Sequence, residues 1–323
     1  MHTLINSYIE QLHYREPIRL YEPISYVLSL GGKRIRPTLM LMAYKLFKTD
    51  FETILPQAIA LEVYHNFTLL HDDLMDCADL RRGHETVHKK WDDNTAILSG
   101  DAMLIMAYKL FTEAANSQQL TRNSFLKGIQ TFNEATLGVC EGQQYDIDFE
   151  TRNDVTEEEY IEMIRLKTSL LLACALKIGA QLADASDEDA NLLYDFGEKM
   201  GLAFQLQDDL LDVYGDPKVF GKNIGGDILC NKKTFMLINA LRLTKGTDRK
   251  ALQNWINEED FDPDEKIEAV TTIYNKVGIR TLCEMKIEEY FSLALESLEK
   301  VNVESTLKQD LRNFAKKLLK RNF

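Results

Sequence analysis

The side chains best suited to chemistry lie in two acidic clusters. The first is His71-Asp72-Asp73-Leu74-Met75-Asp76, and the second is Phe204-Gln205-Leu206-Gln207-Asp208-Asp209-Leu210-Leu211-Asp212. On a helix, residues four apart lie nearly above one another, so Asp72 and Asp76 share a face, as do Asp208 and Asp212. Like charges so placed repel by about 0.2–0.5 kcal/mol, which a purely structural helix has reason to avoid. Phe67, Leu69, Leu70, Leu74 and Met75 surround the first pair, and the second lies in an equally apolar helix, so a compensating cation is expected. Carboxylates without nitrogen or sulfur partners suit Mg²⁺, which keeps several waters and completes its shell with substrate phosphates. One such cluster in an acidic chain reads as well as a solvated patch. Two in apolar settings do not.

The basic residues are patterned too. Gly31-Gly32-Lys33-Arg34-Ile35-Arg36-Pro37 places three cations after a glycine turn, where a helix is expected to begin. Exposed backbone N–H groups with Lys and Arg form a natural diphosphate cradle. Arg81-Arg82-Gly83 follows the first acidic helix, where basic residues could equally serve its dipole. Lys167-Thr168 falls mid-helix, and Lys222 and Lys232 border the glycine-rich segment around Gly225-Gly226-Asp227. The combination suggests acids on two facing helices that bind a diphosphate through Mg²⁺, and separate cations that bind a second diphosphate without metal.

That chemistry belongs to a chain of 323 residues with 38 basic and 51 acidic side chains, a net charge of −13. Such a field excludes a non-specific nucleic-acid or anionic-membrane binder. It does not exclude an anionic substrate, because local cations and metals can outweigh it. No run approaches the ~20 apolar residues of a membrane span. The N-terminal residues lack the basic-then-apolar layout of a signal peptide. The five cysteines, Cys77, Cys140, Cys174, Cys230 and Cys283, are scattered without a CxxC pair, so a reducing, cytoplasmic setting is expected.

The elements that must position these groups are helices. All six prolines lie at 17, 23, 37, 56, 217 and 263, which leaves 57–216 free of them. Apolar residues at three- and four-residue spacing mark helical segments at 58–76, 94–116, 121–149, 156–183 and 187–214. Residues 232–257 and 264–320 are again amphipathic. Thr156 stands three before Glu159 as in a capping box, and Ser186 precedes an acidic first turn. Few β-branched alternating runs occur, and no NG or DG hairpin turn lies between such runs. The expectation is one all-α domain over 1–323, with two packed helical lobes as the alternative.

GGKRIRP, HDDLMD followed by RRG, Lys167-Thr168, FQLQDDLLD and GKNIGGDILCNK resemble, in order, the motifs of the trans (E)-isoprenyl diphosphate synthases, and they cover about residues 31–234. The resemblance implies an all-α bundle around a deep cavity, a homodimer, and Mg²⁺-dependent head-to-tail condensation of isopentenyl diphosphate with an allylic diphosphate. It implies three Mg²⁺ per site, with Mn²⁺ able to substitute. Asp72, Asp76 and Asp208 are then the main ligands, while Asp73, Asp209 and Asp212 act through bound water or as outer partners. Lys33, Arg36, His65 and Arg82 would bind isopentenyl diphosphate. Arg81, Lys167, Lys222 and Lys232 would grip the allylic diphosphate, and Thr168 and Gln205 would line the reacting centre. Gln143 and Asp146, in GQQYD, resemble a further cavity-lining motif. On residue type alone, His65 reads equally as a satisfied core histidine.

In the family, the fifth position before the first aspartate influences product length, and an aromatic there marks shorter products. Phe67 occupies it, although an ideal wheel places Phe67 well off the Asp72 face and a plain core role stays open. The second aromatic and the two-residue insertion of common farnesyl patterns are both missing, so a C20 product is expected, with C15 next. The rival readings are a class I terpene cyclase and a non-catalytic prenyl-binding or partner subunit. The basic KKLLKRNF end reads either as a lid over the diphosphates or as an exposed helix end.

Overall fold

The computed structural model describes residues 1–12, 16–113, 120–215 and 224–319. Its contacts divide the chain into two compact units, one of Met1–Thr131 and Ala175–Ala190, the other of Phe132–Cys174 and Asn191–Phe323.

In the first unit, α1 (His2–Glu10), α2 (Ile18–Ser29) and α3 (Ile35–Lys45) precede the long helix α4 (Leu55–Met75). Pro56 lies in the first turn of α4, where its missing N–H would have had no helical acceptor. Helix α4 is apolar on nearly every side. It buries Ala58, Leu61, Val63 and Leu70, and its main partner is α6. The Asp76 N–H still donates to the Asp72 carbonyl at 2.9 Å, so the two acids keep their one-turn spacing at the helix end.

A left-handed Cys77 (φ 52°) then breaks the helix. An antiparallel ribbon follows, β1 (Leu80–Arg81) on β2 (His84–Glu85), with Arg81 opposite His84. The sequence reading contains no strand here, because two-residue strands are too short to show alternation. Helices α5 (Val87–Lys90), α6 (Asp93–Glu113) and the beginning of α7 (Arg122–Thr151) continue the chain.

The capping box expected at Thr156 forms in both directions and opens α8 (Glu157–Ile164). A π-helical turn, Arg165–Ser169, joins α8 to α9 (Leu170–Leu182), and α10 (Asp187–Tyr214) follows. At the start of α10, Ser186 Oγ accepts from the Asp189 N–H at 3.0 Å. The segment expected to be helical over 156–183 is therefore interrupted where Lys167 and Thr168 stand. A Cβ on Gly142 of α7 would lie 2.4 Å from the Lys167 nitrogen, and one on Gly201 of α10 would lie 2.6 Å from the Ser169 Cα. Both helices reach the π turn at backbone distance only because these positions lack side chains. Single π turns of this kind cluster at functional sites.

The stretch 232–257 resolves into α12 (Phe235–Leu243) and α13 (Gly246–Asn257), preceded by the short α11 (Gly226–Leu229). The stretch 264–320 resolves into α14 (Pro263–Lys276), α15 (Ile279–Lys300) and α16 (Gln309–Leu319). The core of the second unit gathers Tyr160, Met163, Leu206, Leu210, Phe235, Tyr274 and Cys283.

Candidate active site

The first acidic motif stands at the end of α4. Asp72 is half-buried and Asp76 exposed, while Asp73 is buried. Arg81, from the ribbon, places its Nε 2.8 and 3.0 Å from the two Asp73 oxygens, and its other nitrogen lies 3.9 Å from Asp72. Burial raises the Asp73 carboxyl against the opposing pull of Arg81.

The second motif, on α10 in the other unit, repeats this division of labour. Asp208 and Asp212 are half-buried, and Asp209 is buried. Asp212 Oδ2 accepts from the Asp227 N–H at 2.9 Å, which ties α10 to the start of α11. Asp209 accepts from Gln205 Nε2 at 2.9 Å and from the Tyr160 hydroxyl. Burial, then Asp227, raises its carboxyl. In each motif the middle aspartate is held by protein donors.

No three His, Cys, Asp or Glu side chains converge into a closed metal cage among the described residues. An all-carboxylate set of this open kind fits a hard cation that takes one or two protein oxygens and completes its shell from water and phosphate. It does not fit a structural zinc site.

The basic loop before α3 sorts its cations by depth. Lys33 is exposed and Arg36 half-buried. Arg34, counted in the sequence among the cradle's three cations, instead turns inward. It donates to Glu62 at 2.8 Å, the Leu28 carbonyl at 2.7 Å and Asn6 at 3.1 Å. Its left-handed backbone (φ 47°) at the N-cap of α3 sends it opposite to its neighbours.

Arg36 keeps a buried Nε with no hydrogen-bond partner. Burial pushes its guanidinium down to about 10, opposed by Glu62 and reinforced by Arg82. His65 lies in the same field. Burial, then Arg36 and Arg82, holds it well below the usual imidazole range, so it is neutral at pH 7. Arg82 donates to the Gly31 carbonyl, linking the ribbon to the basic loop. The first unit thus brings Arg36, His65 and Arg82 together around an unsatisfied donor, which an anion would satisfy.

In the second unit, Lys167 Nζ is 2.6 Å from Asp146, and Lys232 Nζ is 3.8 Å from the same carboxylate. Burial alone would raise Asp146, but Lys232 and Lys167 outweigh it and hold the carboxyl below its usual range. Gln143 is half-buried three residues before Asp146 on α7. Thr168 Oγ1 donates to Gln205 Oε1 at 3.0 Å. Lys222 lies outside the described residues.

Phe67 is buried on α4, its ring 4.8 Å from that of His71 and 5.5 Å from that of Tyr64. Of the basic C-terminal end, Lys316 and Lys317 are exposed on α16 and residues 320–323 lie outside the described set. Sequence reasoning passed over Glu62 and Tyr160. A lone acid inside the apolar run ALEVY was the available signal for Glu62, since a buried carboxylate requires a partner. Nothing comparable marked Tyr160.

The polyprenyl synthetase family model matches residues 17–274. The chain belongs to this family. A solved geranylgeranyl pyrophosphate synthase superposes on it with a TM-score of 0.91 at 43% identity, covering 100% of this chain and 99% of that one. The geranylgeranyl diphosphate synthase of Methanosarcina mazei is 42% identical over 231 residues, 72% of this chain and 70% of that protein. The geranylfarnesyl diphosphate synthase of Natronomonas pharaonis is 36% identical over 333 aligned positions, 97% of this chain and 93% of that protein. This polyprenyl synthetase has the all-α isoprenoid synthase fold and is a prenyltransferase, a short-chain prenyl diphosphate synthase. The terpene-cyclase and partner-subunit readings find no support among these relatives. No helix among the described residues is long and apolar enough to cross a membrane.

Proposed function

We propose that this synthase condenses isopentenyl diphosphate with allylic diphosphates (dimethylallyl, geranyl and farnesyl) and releases geranylgeranyl (C20) diphosphate. The observation that carries the reading is the cluster of Arg36, His65 and Arg82, in which Arg36 Nε is buried without a partner. It can hold one diphosphate without metal and leave the carboxylates for the other.

Asp72, Asp76 and Asp208 would hold Mg²⁺, with Asp212 acting through bound water, and the metal would supply stabilisation of the departing diphosphate's charge. Lys33, Arg36 and Arg82 hold isopentenyl diphosphate, with neutral His65 as a hydrogen-bond partner. Asp73 anchors Arg81 so that its guanidinium remains available to the allylic diphosphate. Lys167, Lys222 and Lys232 grip the same group, and Asp146, with Gln143 beside it, spaces Lys167 and Lys232 before substrate arrives. Thr168 and Gln205 line the carbon whose bond to oxygen breaks. The isopentenyl double bond attacks that carbon, and a proton is lost from the adduct. No nucleophilic side chain takes part.

We read the working form as a homodimer, supported by exposed Leu98 and Ile105, seven residues apart on one face of α6. The C20 assignment rests on Phe67 and matches the two geranylgeranyl synthases named above, whereas the Natronomonas pharaonis relative is a geranylfarnesyl synthase. Incubating purified protein with isopentenyl diphosphate, each allylic diphosphate and Mg²⁺, then sizing the products, tests it. A C20 product supports the proposal. A C15 or C25 end product overturns the chain length, and no condensation overturns the reading.

A further inference from the structure

A chain of three hydrogen bonds runs from a buried tyrosine to Thr168. Tyr160, on α8, is 1% exposed and gives its hydroxyl hydrogen to Asp209 Oδ2. Asp209 Oδ1 accepts from Gln205 Nε2 at 2.9 Å, one turn earlier on α10. Gln205 Oε1 accepts from the Thr168 hydroxyl at 3.0 Å.

Each link decides the next. With Asp209 Oδ2 taken by the Tyr160 hydroxyl, Oδ1 accepts from Gln205, which therefore turns its NH₂ toward Asp209 and its carbonyl oxygen toward Thr168. A carbonyl oxygen can only accept as well, so the single hydroxyl hydrogen of Thr168 is committed to Gln205. What Thr168 has left to offer is its oxygen lone pairs. Tyr160 is the outermost donor of the series, and burial followed by Asp209 keeps its hydroxyl protonated, as a donor must be.

We propose that Tyr160 is a positioning residue: by holding Asp209 Oδ2 it keeps Oδ1 turned toward Gln205, so that Thr168 meets the substrate as an acceptor and never as a donor. This rests on the reading of Thr168 and Gln205 as lining the reacting centre. When the allylic carbon–oxygen bond breaks, positive charge develops on carbon and electron density leaves with the diphosphate. An oxygen lone pair aimed at that carbon stabilises the charge, whereas a hydroxyl hydrogen aimed there would oppose it. The π turn that carries Thr168 is fixed by the close approach of Gly142 and Gly201, so the side chain has little freedom to escape the arrangement. Packing alone would not need the tyrosine hydroxyl, since a phenylalanine could fill the same place among Met163, Leu206 and Cys283.

The test is steady-state kinetics on the full-length protein with Mg²⁺, using Tyr160→Phe, Thr168→Val and the double variant. Tyr160→Phe is expected to lower kcat about 10- to 100-fold, the range typical of outer hydrogen-bond partners, and to change both KM values less than twofold. In the Thr168→Val background the same change should cost nothing further, because the hydroxyl it orients is gone. Thr168→Ser should restore the sensitivity to Tyr160→Phe. A wild-type kcat for Tyr160→Phe, a raised KM with kcat unchanged, or an equal loss in both backgrounds overturns the proposal. A wild-type kcat for Thr168→Val instead overturns the reading of Thr168 at the reacting centre, and the two failures are thereby distinct. Should Tyr160→Phe not fold, Asp209→Asn puts the question another way. Its amide can donate to Gln205 Oε1, reversing the glutamine and turning an N–H toward Thr168, and kcat should again fall; an unchanged kcat overturns the proposal.

Discussion

Arg34 and Glu62 form an ion pair of 2.8 Å in which each side chain is only 3% exposed. Asn66 also donates to Glu62 Oε1 at 3.2 Å, so both partners are held from several elements. Breaking a buried pair from one side leaves an uncompensated charge, at a cost of about 3–5 kcal/mol. Arg34→Leu or Glu62→Leu should each destabilise by that amount in denaturant unfolding. The double variant should recover much of the loss, because apolar replacement of both partners removes the stranded charge. Additive losses in the double variant would show that the pair itself is not what couples these helices.

The fates of Arg34 and Arg36 show where sequence reasoning stops. Both stand in GGKRIRP, two residues apart, and by type either could bind a diphosphate. A left-handed backbone at Arg34 sends it into the core and leaves Arg36 with an unsatisfied donor. That turn is set by contacts with α1, α2 and α4 that no local spacing records. The aspartates were more legible, because a four-residue spacing in an apolar helix carries its geometry with it. Even there, the inward turn of Asp73 and Asp209 depends on Arg81, which the ribbon presents, and on Tyr160 of α8. The sequence places Arg81 just beyond the first acidic motif without showing that it takes Asp73, and no local pattern marks Tyr160. The π turn at Lys167 was likewise hidden, since its cause lies in glycines on two other helices.

Asp72→Ala and Asp208→Ala separate function from folding. Loss of outer partners of a metal site typically costs 10–100-fold, so loss of a direct carboxylate should lower kcat by at least about 100-fold. Thermal unfolding should stay unchanged or improve slightly, because one of two like charges a turn apart is removed. Near-wild-type turnover in both variants would refute their assignment as ligands.

His65 makes the stability of the fold depend on pH. Its folded pKa is held well below the ordinary 6.5, so below pH 6.5 the unfolded chain binds a proton that the folded chain does not. The stability contributed by the neutral imidazole is therefore present above pH 6.5 and is lost as pH falls, at about 1.4 kcal/mol per unit until the folded pKa is reached. Between pH 7.5 and 5.5, His65→Gln should show a smaller drop in unfolding free energy than the wild type, by about 1 kcal/mol. Parallel pH profiles for the two proteins would show that His65 titrates normally.

Phe67 tests the product-length assignment and its stability role in one variant. The ring is buried between Tyr64 and His71, so Phe67→Ala opens a void on α4 and should cost about 3 kcal/mol in unfolding free energy. If the same ring limits the growing chain, the void admits further isoprene units, and the main product should shift from C20 to C25 or longer at unchanged Mg²⁺ and substrate ratios. Truncation at a site that only packs the core would lower stability and leave the product distribution as it was. The measurement is therefore product sizing by chain length at a temperature where the variant is still folded. An unchanged distribution at that temperature places the stop elsewhere and returns Phe67 to the core alone.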